Sequence, residues 1–364
     1  MVAVEQVSVH AFTVPTDSPE SDGTLEWDST TLILVEARAG GYTGIGYTYG
    51  DVSTAAFIES LLVPVVTGTD PLGNNWHRMY AAIRNAGQPG LGSMAVAAVD
   101  IALWDLKARL LGRPLFQILP TLHDHVPVYG SGGFTSYPLD RLVQQLAGWV
   151  EQGIPRVKLK TSRDPAADPE RLTEVRLAIG PQPELFVDAN GALNRKQAQY
   201  WAHRFADEWD VRWFEEPVSS LDTEGLRQIR EHGPHRMDIA AGEYGYLLRD
   251  FHTLLDANAV DCLQADVTRC GGITGLLQVA GAAAAHETDL SAHCAPAVSA
   301  HAFCAVPTRR HLEYFHDHVR LEQLAFDGTL SPVNGALRPD PDRPGLGLDV
   351  RWADLDRYRV HGSH

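Results

Sequence analysis

Lysine is nearly absent from this chain. Of its 30 Lys plus Arg residues, only Lys107, Lys158, Lys160 and Lys196 are lysine, so arginine carries most of the positive charge. Arginine keeps its proton under ordinary conditions, whereas an amine can lose one when desolvated or crowded by like charge. Half of the scarce lysines stand two apart in RVKLKT, residues 156–161. Cysteine is sparse too. Cys262, Cys270, Cys294 and Cys304 show no CxxC spacing, which argues against a disulfide framework and suits reduced thiols in a cytosolic protein. No apolar run approaches the ~20 residues of a membrane-spanning helix. The opening MVAVEQVSVH lacks a basic region followed by an apolar core, so no signal peptide is expected and the cytoplasm is the expected compartment. A formal net charge of -16 argues against nucleic acid and anionic membranes as partners. It would also repel an anionic small molecule, unless the site itself is locally positive.

The chain has 364 residues, too many for one small core, and a two-domain enzyme is the default expectation. The first part reads as antiparallel strands in VAVEQVSVHAFTVP, STTLILVEARAG and YTGIGYTYG, then helices near 53–66, 73–86 and 91–112. The polar TDSPESDGTLEWD between the first two strands reads as a long loop, of the kind that often carries function. From about residue 125 short β-rich runs alternate with helical stretches: HVPVYGSGG, RVKLKT, ELFVDAN, VRWFEEP, MDIAAGE, DCLQADV, LSAHC and HLEYF. Eight such units suggest a closed parallel β/α barrel, with an open doubly wound sheet as the alternative. The expected division is an N-terminal α+β domain over 1–124, a barrel over 125–319, and a Pro- and Gly-rich tail over 320–364 packing back on the first domain.

Chemistry in a β/α barrel sits at the C-terminal ends of its strands. Those ends carry Lys158 and Lys160, Asp188, Glu215, Glu243, Asp266, His293 and Glu313, while the strand bodies are apolar. A single Asp at a strand end is ordinarily a helix cap or half of a salt bridge. Seven consecutive units ending in ionisable residues are hard to explain that way. Asp188, Glu215 and Glu243 fall on three consecutive strands and would converge. Uncompensated, three converging carboxylates repel, and a hard divalent cation with oxygen ligands resolves it, Mg²⁺ better than Zn²⁺. Lys160 lies before these strands and His293 after them, with Asp266 one unit before the histidine. An Asp beside a His fixes the tautomer and supports the protonated ring.

In this order the KxK of RVKLKT, the Asp of VDAN, the first Glu of FEEP, the Glu of AAGE, DVTRCGGITG, SAH and LEYF resemble the enolase superfamily, mandelate racemase subgroup. DIALWDLKARLLGRPL in the first domain is similar too, so the resemblance spans the chain. It implies a modified (β/α)7β TIM barrel under an N-terminal α+β capping domain, one Mg²⁺ per site and a homo-oligomer. It also implies Asp188, Glu215 and Glu243 as metal ligands, with Glu216 beside them. Lys160 is implied as a base on one face of the substrate's α-carbon. Lys158 is implied to bind the substrate carboxylate and to depress the pKa of Lys160. His293 with Asp266 is implied on the opposite face, Glu313 as a hydrogen-bond donor to the carboxylate, and Asn190 as a substrate contact. In the muconate-lactonising and dipeptide-epimerase branch a second lysine stands where Asp266 stands here, which favours the racemase-like subgroup.

The implied shared step is removal of a proton α to a carboxylate, giving an enediolate. With a hydroxyl on the next carbon, loss of water follows and a 2-keto-3-deoxy acid forms. Without one, the proton returns and the carbon racemises. The polar 20s segment favours an acid sugar over an aromatic acid, with Trp27, Asp28, Tyr47 and Tyr49 as candidate lid contacts. A racemase or epimerase, a lactone cycloisomerase, and a non-catalytic sugar-acid-binding barrel are the alternatives. GIGYTYG resembles a dinucleotide loop only superficially, since no acidic residue ends a second strand about 20 residues on. His301, His311, His316 and His318 form no zinc pattern and read as surface.

Overall fold

The structure is a computed structural model that describes residues 2–362; Met1, Ser363 and His364, the last two closing HGSH, lie outside it. Three antiparallel strands open the chain, β1 (Gln6–Ser21), β2 (Glu26–Ala39) and β3 (Tyr42–Tyr49). A 20-residue helix, Leu91–Leu110, packs across them. Its close approach explains GIGYTYG. A Cβ on Gly44 would fall 2.3 Å from Ala102 O, and one on Gly46 would fall 2.2 Å from Ala98 O. These glycines let a helix backbone lie against a strand.

The 20s segment corrects an expectation. Most of it is not a loop but a continuation of the β1–β2 hairpin, with Glu20 opposite Trp27 and Ser21 opposite Glu26. The register slips between Pro15 and Glu20, where two prolines cannot donate to the ladder. Asp22 closes the turn by accepting from the amides of Thr24 (2.6 Å) and Leu25 (2.7 Å).

Eight parallel strands then form a closed barrel: β4 (Val126–Gly132), β5 (Arg156–Lys160), β6 (Glu184–Asp188), β7 (Val211–Glu215), β8 (Asp238–Ala241), β9 (Cys262–Ala265), β10 (Asp289–Ala292) and β11 (Arg309–Phe315). Closure comes from pairing of β11 with β4. A helix joins each strand to the next, and a further helix, His316–Ala325, follows β11. The tail divides between the two layers. Ala336–Leu337 pairs with the start of β4, whereas Arg359–His361 adds a fourth strand to the first sheet beside β1.

Strand period 2 sorts the barrel side chains. Val157, Leu159, Leu185, Val187 and Phe214 belong to the main apolar core. Tyr129, Phe186 and Trp213 form a separate buried cluster inside the barrel. Phe186 and Trp213 stack with centroids 5.4 Å apart, and His311 meets Trp213 at 5.1 Å and Tyr129 at 4.7 Å. By the same alternation Lys158, Lys160, Asp188, Glu215 and Glu313 project inward, above this aromatic plug. His311 is therefore a barrel-interior residue, not the surface residue expected from sequence. His301 is buried as well.

Candidate active site

Strand register assembles the floor of the site. Lys160 lies opposite Asp188 on β5–β6, and Asp188 opposite Glu215 on β6–β7. Glu243, Asp266 and His293 follow the ends of β8, β9 and β10. Several of these strands leave the barrel through left-handed backbone: Ser162, Asn190, Glu216 and Cys294 have φ of 73°, 45°, 39° and 52°. Such residues are costly outside glycine and cluster where a chain must turn sharply to aim a side chain. The half-buried Arg171 fastens the lysine strand from behind, donating to Lys160 O (2.8 Å) and Gly133 O (2.9 Å).

Asp188, Glu215 and Glu243 each bring one oxygen within 4.8 Å of the others, and all three are buried. Lys158 Nζ donates to both oxygens of Glu215 at 2.7 Å and lies 2.8 Å from Glu313 Oε1 and 3.6 Å from Asp188. Lys160 Nζ donates to Asp188 Oδ2 at 2.5 Å. Trp213 in the plug donates to Glu215 Oε2 at 2.9 Å. Across the floor, His293 Nδ1 is 2.7 Å from Asp266 Oδ2, while its Nε2 faces Glu243 at 3.1 Å and Glu313 at 3.4 Å. The six carboxylates of Asp188, Glu215, Glu216, Glu243, Asp266 and Glu313 thus outnumber Lys158, Lys160 and Arg269. Burial and Asp188 together push Glu215 up to about 8, against the pull of Lys158. Glu216 Oε1 is buried and, among the described residues, has no hydrogen-bond partner. An oxygen-only, anion-rich cluster with an orphaned carboxylate oxygen beside it fits a hard dication.

Two expectations about protons change. Burial lowers the Lys160 amine and Lys158 lowers it further, but Asp188, with Glu243 and Glu215 behind it, outweighs both and holds it above its ordinary value. The expected depression is therefore absent while Asp188 faces the amine. Glu313 was expected to donate a hydrogen bond. Burial raises its carboxyl, yet Lys158 and His293 pull it below the ordinary range. It accepts from Ser131 Oγ at 2.6 Å and stands here as an anion.

Above the floor is a cavity of about 360 Å³, within the usual range for small-molecule sites. Lys160, Asn190, Glu243, Arg269 and His293 line its barrel side. Trp27 and Tyr49 line the opposite wall, with Ser29, Thr30, Thr31, Asp317 and His318. Tyr47 does not. It is fully buried and donates to Glu322 at 2.5 Å, because its position on β3 faces the helix His316–Ala325. Asp28 is exposed and also off the cavity, on the strand face opposite to Trp27.

Sequence reading missed Arg269, Thr30, Asp317 and His318. Arg269 Nη1 approaches Glu243 (3.5 Å) and its Nε approaches Asp266 (3.6 Å); its place three residues after Asp266 in DVTRC was the available signal. His318, expected at the surface, stacks on Tyr49 with centroids 3.6 Å apart. Nothing local marks Thr30 and Asp317 as partners: Thr30 Oγ1 donates to Asp317 Oδ2 at 2.5 Å across 287 residues.

Residues 7–120 match the family model of the mandelate racemase / muconate lactonizing enzyme N-terminal domain, and residues 141–354 that of the enolase C-terminal domain-like family. The chain is similar to L-talarate/galactarate dehydratase of Salmonella typhimurium, 31% identical over 97% of this chain and 91% of that protein. The structure resembles that of a mandelate racemase/muconate lactonizing enzyme-like protein from Rubrobacter xylanophilus (TM-score 0.97, 62% identity, 98% of this chain and 100% of that one). It also resembles a racemase from Streptomyces coelicolor A3(2) with bound magnesium (TM-score 0.91, 30% identity, 98% and 100% covered). Among the described residues no helix is long and apolar enough to cross a membrane.

Proposed function

Because the chain belongs to the enolase superfamily, in its mandelate racemase group, we propose that it removes the proton α to the carboxylate of an acid sugar and expels water from the neighbouring carbon. One observation carries this reading. The three-carboxylate cluster lies at the base of one cavity, which Glu243 lines between Lys160 on one side and His293, backed by Asp266, on the other. Asp188, Glu215 and Glu243 would hold Mg²⁺, which supplies fixed positive charge against the charge that develops on the substrate carboxylate.

With Asp188 turned to the cation it would hold, burial and Lys158 are left to lower the Lys160 amine. The neutral Nζ then takes the α-proton, and the electron pair of that C–H bond passes toward the carboxylate to give an enediolate. Lys158, buried and fixed between Glu215 and Glu313, keeps a second positive charge on that side of the site. Preorganised groups of this kind are commonly worth about 10²–10³ in rate. His293, oriented by Asp266, delivers a proton to the β-hydroxyl, which leaves as water while the carbon–carbon double bond forms. The resulting enol tautomerises to a 2-keto-3-deoxy acid. Arg269, between Glu243 and Asp266, keeps both carboxylates turned toward the floor.

The reading is tested by incubating the protein with Mg²⁺ and a panel of aldonic and aldaric acids and measuring 2-keto acid as its semicarbazone. Product is expected, and it should vanish with EDTA and in Lys160→Ala. Activity that survives either treatment overturns the mechanism. In D₂O, α-deuterium in recovered acid without keto product would replace dehydration by racemisation, the activity that names the Streptomyces neighbour.

A further inference from the structure

The two sides of the cavity differ in charge in a way that bears on the substrate's far end. A substrate carboxylate bound at the floor leaves the rest of its chain against the capping wall. Among the described residues three cationic groups line the cavity, Lys160, Arg269 and His293, and all three are on the floor. Burial would lower the His293 imidazole, but the neighbouring anions hold it well above its ordinary value. Arg269 already lies between Glu243 and Asp266. The wall instead offers the hydroxyls of Ser29, Thr30 and Thr31 and the carboxylate of Asp317. Asp317 is 1% exposed and held from two sides, by Thr30 Oγ1 on Oδ2 (2.5 Å) and by Arg320 Nη2 on Oδ1 (2.6 Å). That arrangement takes up the Arg320 guanidinium, which does not line the cavity. His318 adds no charge, since burial pushes it down to about 4.

A carboxylate accepts hydrogen bonds and donates none, so Asp317 suits a sugar hydroxyl and opposes a second carboxylate. We propose that the substrate's far end is an uncharged polyhydroxyl chain, making it an aldonate and not an aldarate, and that Asp317, positioned by Thr30, draws the distinction. The inference rests on the acid-sugar reading above. It departs from the Salmonella relative, whose named substrates are dicarboxylates.

The test uses the full chain with Mg²⁺ and aldonate–aldarate pairs of matched configuration, such as gluconate with glucarate and galactonate with galactarate. For each pair that reacts, kcat/KM for the aldonate should exceed that for the aldarate by about 100-fold, the order expected when like charges are brought together in a desolvated site. Asp317→Asn should narrow that ratio about tenfold, chiefly by lowering KM for the aldarate. Thr30→Lys, which places a cation on the wall, is the second variant should Asp317→Asn fail to fold, and should narrow it likewise. Calorimetric titration of Lys160→Ala with the same pairs reads the preference without turnover. Aldarates used as well as aldonates, or a ratio unmoved in both variants, overturns the inference and leaves the dehydratase reading standing. If neither class reacts or exchanges its α-proton, the acid-sugar reading falls and takes this inference with it.

Discussion

The floor of the cavity and its capping wall are built on different physical principles. On the floor, neighbouring parallel strands in fixed register deliver charged groups at one height, over a buried aromatic plug. Their positions are over-determined by the barrel, and their mutual repulsion is the cost of the site. The wall is assembled from a hairpin, the end of β3 and the helix after β11, which meet through individual side-chain contacts such as Thr30 with Asp317 and Tyr49 with His318. Its groups are mostly neutral or already paired. The floor is thus suited to chemistry common to many substrates, and the wall to choosing among them.

The sharpest break between the two regions should come from Glu215→Gln. Burial and Asp188 already favour a proton on Glu215, and the amide mimics that neutral acid, keeping its size and one oxygen to accept from Lys158 and Trp213. The metal-free thermal midpoint should therefore stay within about 2 °C of the parent or rise. The Mg²⁺-dependent rise, equivalent to about 2.7 kcal/mol at a hundredfold excess over Kd, should disappear. Turnover should fall by at least about 10³-fold. Paired thermal melts and rate measurements check this. A large metal-free destabilisation with retained Mg²⁺ response would mean that the floor is a structural ion-pair network.

A change confined to the wall should act differently. Gly23, at the hairpin tip, lies so close to the barrel that a Cβ there would fall 2.2 Å from Ala189 O and 3.0 Å from Thr161 O. Those carbonyls belong to the strand ends that carry Asp188 and Lys160. Gly23→Ala must lift the hairpin, loosening the contacts of Ser21 and Asp22 with Thr135. The expected result is about a tenfold loss in kcat/KM, mostly in KM, with little change in melting. A loss confined to kcat would show that the hairpin tip shapes the floor as well as the wall.

The floor was legible in sequence because strand-end position and period 2 are local signals. Each of the eight β runs from HVPVYGSGG to HLEYF became a barrel strand, and the lysine pair faced inward as its spacing requires. Proton states were not legible. The charge on Glu313 is set by Lys158, 155 residues away in the chain, and by His293. The wall was hardly legible at all. TDSPESDGTLEWD looks like a solvent loop because its polarity serves a hairpin partly facing a polar cavity. Tyr47 and Tyr49 could not be told apart either. One reaches the cavity and the other Glu322, and only the placement of the helix His316–Ala325 decides which.

That helix supplies the finest distinction, one that leaves turnover aside and is read only in how stability changes with pH. Burial pushes Glu322 up to about 8, although Tyr47 and the Ala297 amide donate to it. Tyr49 and His318 are the other titratable groups packed nearby, and burial keeps the tyrosine hydroxyl protonated and the imidazole uncharged. The folded protein thus holds a proton on Glu322 that the unfolded chain releases near pH 4.5. A raised folded-state value gives stability that is fully present below the unfolded value and lost as pH rises through the folded one. Between about pH 4.5 and 8 this one group should lower stability by up to ~1.4 kcal/mol per pH unit. Glu322→Gln mimics the protonated acid and should flatten that slope, with little change near pH 5. Denaturant midpoints from pH 5 to 8 measure it. An unchanged slope in Glu322→Gln would mean that the joint between helix and capping sheet does not depend on this proton, leaving Thr30 and Asp317 as the contact that seats the wall.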